Sequence, residues 1–157
     1  MLQDFFQGNS QAKVDEKLRC SFPRELRKCL HPKHENQVVV AISQDCELEL
    51  YPIRLWERRS RELMKRARTP AEVAAVKKMI VTARTSILDS QNRITLSREL
   101  LQWAHITSTV VFAGMLDTVV LCNPERFASI ASGDGESDHK EFDDALFGLR
   151  QREGEDE

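Results

Sequence analysis

Two short stretches place charged chemistry at a fixed spacing: Asp15-Glu-Lys17-Leu18-Arg19 and Asp89-Ser-Gln91-Asn92-Arg93. Each reads D-x-x-x-R. An aspartate that opens a tight turn can accept hydrogen bonds from amides just beyond it. An arginine at the far side presents a planar fork of donors that fits a phosphate, or guanine O6 and N7 together. The competing reading is a carboxylate and a guanidinium that pair across the turn and only stabilise it. A lone motif favours the turn-stabilising reading; two such turns at equivalent places in a duplicated chain would present two basic tips from one side of a pseudo-symmetric unit, which brings the two readings nearer to level. Lys13, Lys17, Arg24 and Arg98 surround the motifs and fit a surface that faces phosphates.

Catalytic patterns fare worse. His31 and His34 lie three apart without a third ligand at a characteristic spacing, so they read as surface-loop histidines and no metal site is expected. The sequence has no G-x-S-x-G, Walker loop, dinucleotide fingerprint or H-E-x-x-H. No cofactor and no small-molecule substrate are expected, and an enzyme ranks last among the readings. Cys20, Cys29, Cys46 and Cys122 are widely spaced with no C-x-x-C pair, and read as buried free thiols. The Arg/Lys run from Arg58 to Arg68 reads as a solvated helix face and only secondarily as a nucleic-acid patch.

The charge is unevenly divided. The 157 residues carry 25 acids and 23 Lys and Arg. Residues 132–157 hold ten acids and three bases, net −7, which leaves 15 acids and 20 bases, net +5, in residues 1–131. A basic body with an acidic tail suits a polyanion binder that moderates its own stickiness, and deleting the tail should tighten nonspecific DNA binding. Apolar runs such as Val38 to Ile42 are too short to span a bilayer, which points to the cytoplasm and away from a membrane.

The elements that must position the motifs come in two copies. Residues 15–26 align with 89–100 at a shift of 74, sharing D-x-x-x-R and then Arg-Glu-Leu; Val39 to Leu50 align with Val110 to Leu121 at a shift of 71. Each copy reads as strand, turn, strand, short helix and hairpin, with reversals at Asp45 and at Gly114 to Asp117. Between the copies, Arg54 to Arg84 reads as two helices, the second opened by Thr69-Pro70-Ala71-Glu72 as a capping box. A short helical counterpart is expected from Asn123 to Ile130. Residues 132–140 have a linker composition, the last residues read as acidic and disordered, and Asp143 to Leu149, taken with Phe142, suggest a short docking helix.

The doubled motif, the opening Phe6-Gln-Gly8, Leu50-Tyr51-Pro52 followed by Trp56, and Arg93-Ile-Thr-Leu-Ser-Arg-Glu-Leu-Leu together resemble the MraZ family over about residues 5–130. That resemblance implies an α+β fold: an AbrB-like swapped-hairpin β-barrel of two pseudo-symmetric repeats, with helices between and after them. The corresponding divisions are a first repeat at 5–57, a helical connection at 58–81, a second repeat at 82–130 and a tail at 131–157. It implies a ring-shaped homo-oligomer, an octamer or dodecamer, that binds repeats in double-stranded promoter DNA of the division and cell-wall gene cluster and is associated with the nucleoid. Arg19 would be the leading DNA contact with Lys17 beside it, Asp15 would shape the turn, and Arg93 and Asp89 take the same places in the second half.

The chain departs from the family at the turns. Leu18 and Asn92 stand where members usually carry Gly before the motif Arg. Asn tolerates a left-handed backbone and Leu does so poorly, which predicts a reshaped first turn. Gln91 replaces a frequent Lys. The alternative function is therefore an oligomeric assembly protein of the same fold with weakened DNA recognition. An antidote-type partner of a toxin ranks third.

Overall fold

The computed structural model describes residues 2–132 and 138–152. The strands are β1 (Asn9–Lys13), β2 (Arg19–Ser21), β3 (Gln37–Ile42), β4 (Leu48–Pro52), β5 (Arg84–Ile87), β6 (Arg93–Thr95), β7 (Thr109–Met115) and β8 (Thr118–Cys122). The helices are α1 (Arg24–Arg27), α2 (Ile53–Arg66), α3 (Pro70–Thr82), α4 (Arg98–Trp103), α5 (Pro124–Ser132) and α6 (Asp138–Arg152). Six strands form one antiparallel sheet in the order β1-β7-β8-β4-β3-β5, and β2 pairs with β6 in a separate two-stranded ribbon. The chain is α+β. Among the described residues the six-stranded ladder stays open between β1 and β5, so the expected barrel is not closed by strand pairing.

The two halves exchange strands. β1 of the first half pairs with β7 of the second, β5 of the second pairs with β3 of the first, and β4 meets β8. The register repeats faithfully under this exchange. Ser10 opposes Phe112 as Arg84 opposes Val40, and Arg19 opposes Thr95 as Arg93 opposes Ser21. A local pseudo-twofold relation therefore runs through the Glu49–Val120 and Cys20–Ile94 pairs. The equivalence is 74 residues at the turns, 72 from β3 to β7 and 71 from β4 to β8. The single shift of 71 from Val39 onward is thus one residue out over β3, because the last step of the change falls in the β7–β8 reversal and not in the loop before it.

Alternation along the strands sorts the core into two faces. Val38, Val40 and Ile42 of β3, Leu48 and Leu50 of β4, Val110 and Phe112 of β7, and Val119 and Leu121 of β8 face a common core with Phe6, Phe22, Leu26, Ile94, Leu96 and Leu100. Phe22 of the first half stacks on Phe112 of the second with centroids 5.9 Å apart, so neither half buries its apolar face alone. The other sheet face carries Ala41 and Tyr51, covered by Leu55 and Trp56 of α2 and Met79 of α3. Helix α3 starts as its sequence demands: Pro70 is in the first turn, the Thr69 hydroxyl accepts from Glu72 N–H, and Glu72 accepts in return from Thr69 N–H.

Two glycines are set by backbone geometry. Gly8 has φ +82°, and Gly114 lies so close to the Phe6-Gln7 backbone that a Cβ there would sit 2.4 Å from Gln7 N. The chain divides into two units, Met1–Pro124 and Glu125–Glu157, the second holding α6 and nearly all of α5. The short helix expected after the second hairpin is present as α5. The docking helix expected near Asp143 is longer, running through α6, so Lys140 and its neighbours are helical and not linker. Residues 133–137 and 153–157, where the rest of the linker and the disordered tail were expected, lie outside the described residues. Among the described residues, no helix is long and apolar enough to cross a membrane.

Candidate nucleic-acid interface

Both D-x-x-x-R motifs fold into the same turn. Asp15 Oδ1 accepts from Lys17 N–H and Arg19 N–H, each at 2.9 Å, while Oδ2 accepts from Arg19 Nε at 2.9 Å. Asp89 does the same with Gln91 N–H and Arg93 N–H at 2.9 Å and Arg93 Nε at 2.8 Å. Each turn closes with an amide donating to the aspartate carbonyl, Leu18 at 3.0 Å and Asn92 at 2.9 Å. Both of these residues are left-handed, Leu18 at φ 62° and Asn92 at φ 60°. The expected reshaping of the first turn does not occur. The Leu18 side chain packs against the main core, and that burial offsets a left-handed penalty of roughly 1–2 kcal/mol.

The carboxylates are held ionised by these contacts. The Arg19 backbone N–H is the strongest influence lowering the pKa of Asp15, opposed by desolvation and reinforced by the Arg19 guanidinium and the Lys17 N–H. Asp89 is lowered in the same way by Arg93 and Gln91. The turn-stabilising ion pair and the candidate binding group are thus one side chain. Nε is occupied by the aspartate, and the terminal nitrogens of Arg19 and Arg93 have no partner among the described residues. The pairing fixes the plane of each guanidinium in advance, which lowers the ordering cost of binding.

Antiparallel pairing of β2 with β6 puts Arg19, Ser21, Arg93 and Thr95 on one face, since cross-strand partners and residues two apart share a side. Cys20 and Ile94 occupy the other face and are buried, which turns the arginines outward. Lys17 is exposed at the first tip beside Glu16; Gln91 takes its place at the second. Arg24 and Arg98 are exposed at the starts of α1 and α4, each followed by a glutamate, and Lys13 is exposed on β1 opposite Thr109. The ribbon brings Arg19 and Arg93 together on one surface. Each of the other cations except Lys13 has an acid adjacent in sequence.

One histidine and two cysteines depart from expectation. His34 is not a surface residue: it is 2% exposed, shares a 2.9 Å hydrogen bond through Nε2 with Asp4, and accepts from Arg54 N–H through Nδ1. Asp4 also accepts from His31 N–H, so this hub ties the N-terminal segment to the 3-10 turn at Pro32–His34 and to the start of α2. Desolvation would raise the Asp4 pKa, but the His34 and His31 contacts together bring it below the ordinary value. Nothing in the spacing of Asp4 and His34 signals the pair, which forms across 30 residues. Cys20 and Cys122 are buried free thiols as expected, whereas Cys46 is exposed and Cys29 half-buried; desolvation pushes the Cys20 thiol up to about 12.

The fold and these turns define an α+β protein of duplicated, cross-paired β-units, each unit carrying one aspartate-anchored arginine on a shared ribbon. The chain belongs to the MraZ family. The family model described as "MraZ protein, putative antitoxin-like" matches residues 5–78. A protein of Shewanella pealeana named Transcriptional regulator MraZ is 32% identical over 114 residues, covering 71% of this chain and 75% of its own length. Proteins of the same name from Shewanella oneidensis and Acidobacterium capsulatum are 30% and 26% identical, each covering 78% of this chain and, respectively, 82% and 84% of their own lengths.

Proposed function

We propose that this protein is a sequence-specific DNA-binding transcriptional regulator that reads repeats in promoter DNA, with the β2–β6 ribbon as the reading surface. The observation that carries this is the pair of anchored arginines on one outward face of a two-stranded ribbon. A major groove admits such a ribbon, and a guanidinium held in a fixed plane matches guanine O6 and N7. The names of the relatives support regulation of transcription as the role. Exchange of β1 and β5 between the halves supports the AbrB-like swapped-hairpin description.

One protomer offers few cationic contacts, so affinity comes from several ribbons engaging successive sites, and a ring-shaped homo-oligomer supplies them. Arg19 and Arg93 read bases, Lys17, Lys13, Arg24 and Arg98 contact phosphates, and Asp15 and Asp89 hold the turns. The target is the promoter of the division and cell-wall gene cluster, and the protein works at the nucleoid in the cytoplasm.

Glu16 beside the first tip and Gln91 at the second favour a different reading, an assembly protein of the same fold with weakened DNA recognition. Fluorescence anisotropy at two salt concentrations, on the DNA upstream of the protein's own gene and on a scrambled duplex, decides between them. A salt-sensitive preference for the upstream DNA that is lost in Arg19→Ala supports the regulator. Equal, weak binding to both duplexes supports the assembly protein.

A further inference from the structure

Helix α6, 15 residues long, carries Phe142, Ala145, Leu146 and Leu149 at i, i+3, i+4 and i+7, one apolar stripe spanning residues 142–149. Phe142 is 61% exposed and Leu149 57%. A stripe of this kind is stable in water only when another surface covers it. Glu141 and Asp143 flank its first turn on opposite sides.

A surface of matching character lies in the Met1–Pro124 unit. Between α2, α3 and the outer sheet face is an open groove of about 530 Å³ lined by Tyr51, Leu63, Val76, Met79 and Trp103. Helix α3 buries none of its 13 residues, although it carries Val73, Val76, Met79, Ile80 and Val81. At the rim the Lys78 ammonium lies 4.8 Å from the Trp103 ring centroid, with Lys77 exposed beside it. Three polar side chains of the groove are already engaged: Glu49 accepts from the Tyr51 and Thr118 hydroxyls, and Arg59 donates to Asp117 at 2.7 Å. Among the described residues no buried side-chain nitrogen or oxygen lacks a partner. Such a groove has little with which to orient a polar small molecule and much with which to take apolar side chains.

We propose that α6 of a second copy of this chain occupies the groove between α2, α3 and Trp103, its Phe142-Ala145-Leu146-Leu149 stripe inward and Asp143 against Lys77 and Lys78. The contact joins two different surfaces, so it is heterologous, and repetition generates a ring or an open chain rather than a twofold dimer. It deepens the ring assembly proposed above and rests on that reading, but it is independent of DNA contact.

Two full-length variants test it by sedimentation velocity, with circular dichroism as the check on folding. Phe142→Asp removes the stripe and leaves the groove; Ala75→Glu, at an exposed position on the groove wall, blocks the groove and leaves the stripe. Each variant alone should fall from the wild-type oligomer to a monomer. Mixed one to one they should give a complex of two subunits, because one intact groove meets one intact helix. Wild-type mass in either variant, a monomeric wild type, or variants that stay apart on mixing overturns the proposal; retained mass includes the case in which α6 seats on its own chain. Arg19→Ala should keep the wild-type mass while losing upstream-DNA preference, so a failure of the DNA reading and a failure of this contact give different results.

Discussion

Arg19 and Arg93 are diagonal neighbours on the outward face of one ribbon, either side of the buried Cys20–Ile94 pair. Their Cα atoms are therefore about 7–8 Å apart, some two base-pair steps of a duplex. Each guanidinium is fixed through Nε by the aspartate that shapes its turn. Removing either should weaken specific binding by ~1–3 kcal/mol per protomer site, or about 5- to 150-fold, without unfolding the ribbon. Titration of Arg19→Ala and Arg93→Ala against the upstream duplex measures this. Unchanged affinity in both would remove the ribbon from the interface.

The turns should be acid-sensitive within a defined window. Asp15 and Asp89 have pKa values lowered from 3.8 in the folded protein. A depressed carboxylate contributes stability that is fully present above its unfolded pKa and is lost as pH falls through the folded value. Turn geometry should therefore be constant from neutral pH down to about 4 and should loosen below that. Carboxyl-carbon NMR titration of the two aspartates should give midpoints below the ordinary 3.8. Midpoints at or above that value would mean that the Arg19 and Arg93 amides do not hold them.

Leu18 tests whether the first turn is strained. Leu18→Gly removes a left-handed penalty of roughly 1–2 kcal/mol but also gives up about half of the ~1.5–3 kcal/mol of a fully buried leucine. The two should nearly cancel, leaving thermal stability and DNA affinity close to wild type. Leu18→Val keeps the penalty, stiffens it by β-branching and packs less well, and should destabilise by ~1–2 kcal/mol. Equal melting temperatures for Val and Gly variants would show that φ 62° carries no cost here.

What was legible in the sequence was local. The aspartate-to-arginine spacing, the Thr69-Pro70-Glu72 cap and the β7–β8 hairpin each depend on residues within a few positions of one another, and each is in place. What was not legible depends on distant partners. The strand exchanges set Ala12 beside Val110 and Val39 beside Thr85, far beyond the reach of any periodicity, and only the family resemblance implied them. The one-residue offset over β3 arises because Val38 to Val40 and Val110 to Val111 match at either register by composition; only ladder pairing tells them apart. His34 reads as solvated because Pro32, Lys33 and Glu35 around it are not core residues, yet Asp4 reaches it from the N-terminal segment. The tolerance of Leu18 for its turn was hidden because the packing that compensates its backbone is tertiary.

Gly114 should tolerate no side chain. A Cβ there would meet the Phe6 carbonyl carbon at 2.5 Å and Gln7 Cα at 2.6 Å, both backbone atoms that cannot step aside as a rotamer would. Gly114→Ala should displace the Phe6-Gln7-Gly8 strap and with it Phe6, which is fully buried. The loss should be at the upper end of the ~1–3 kcal/mol usual for overpacking. Gly148→Ala, where a Cβ meets nothing within 4 Å, is the matched control and should leave the melting temperature unchanged or raised. Similar melting temperatures for the two variants would show that the strap moves freely.

The acidic C-terminal end should act on DNA through charge alone. Residues 132–157 carry net −7 against net +5 for the rest of the chain. Replacing Glu153, Glu155, Asp156 and Glu157 by their amides removes four negative charges and leaves the α6 stripe intact. Nonspecific affinity should then rise at low salt, and the gain should shrink as ionic strength approaches physiological values, because the Debye length falls from ~30 Å at 0.01 M to ~8 Å at 0.15 M. Preference for the upstream duplex over the scrambled one should stay the same, since the repulsion opposes both complexes alike and cancels in the ratio of their affinities. Affinity for scrambled DNA that does not change at low salt would show that these four acids do not reach the field of the bound duplex.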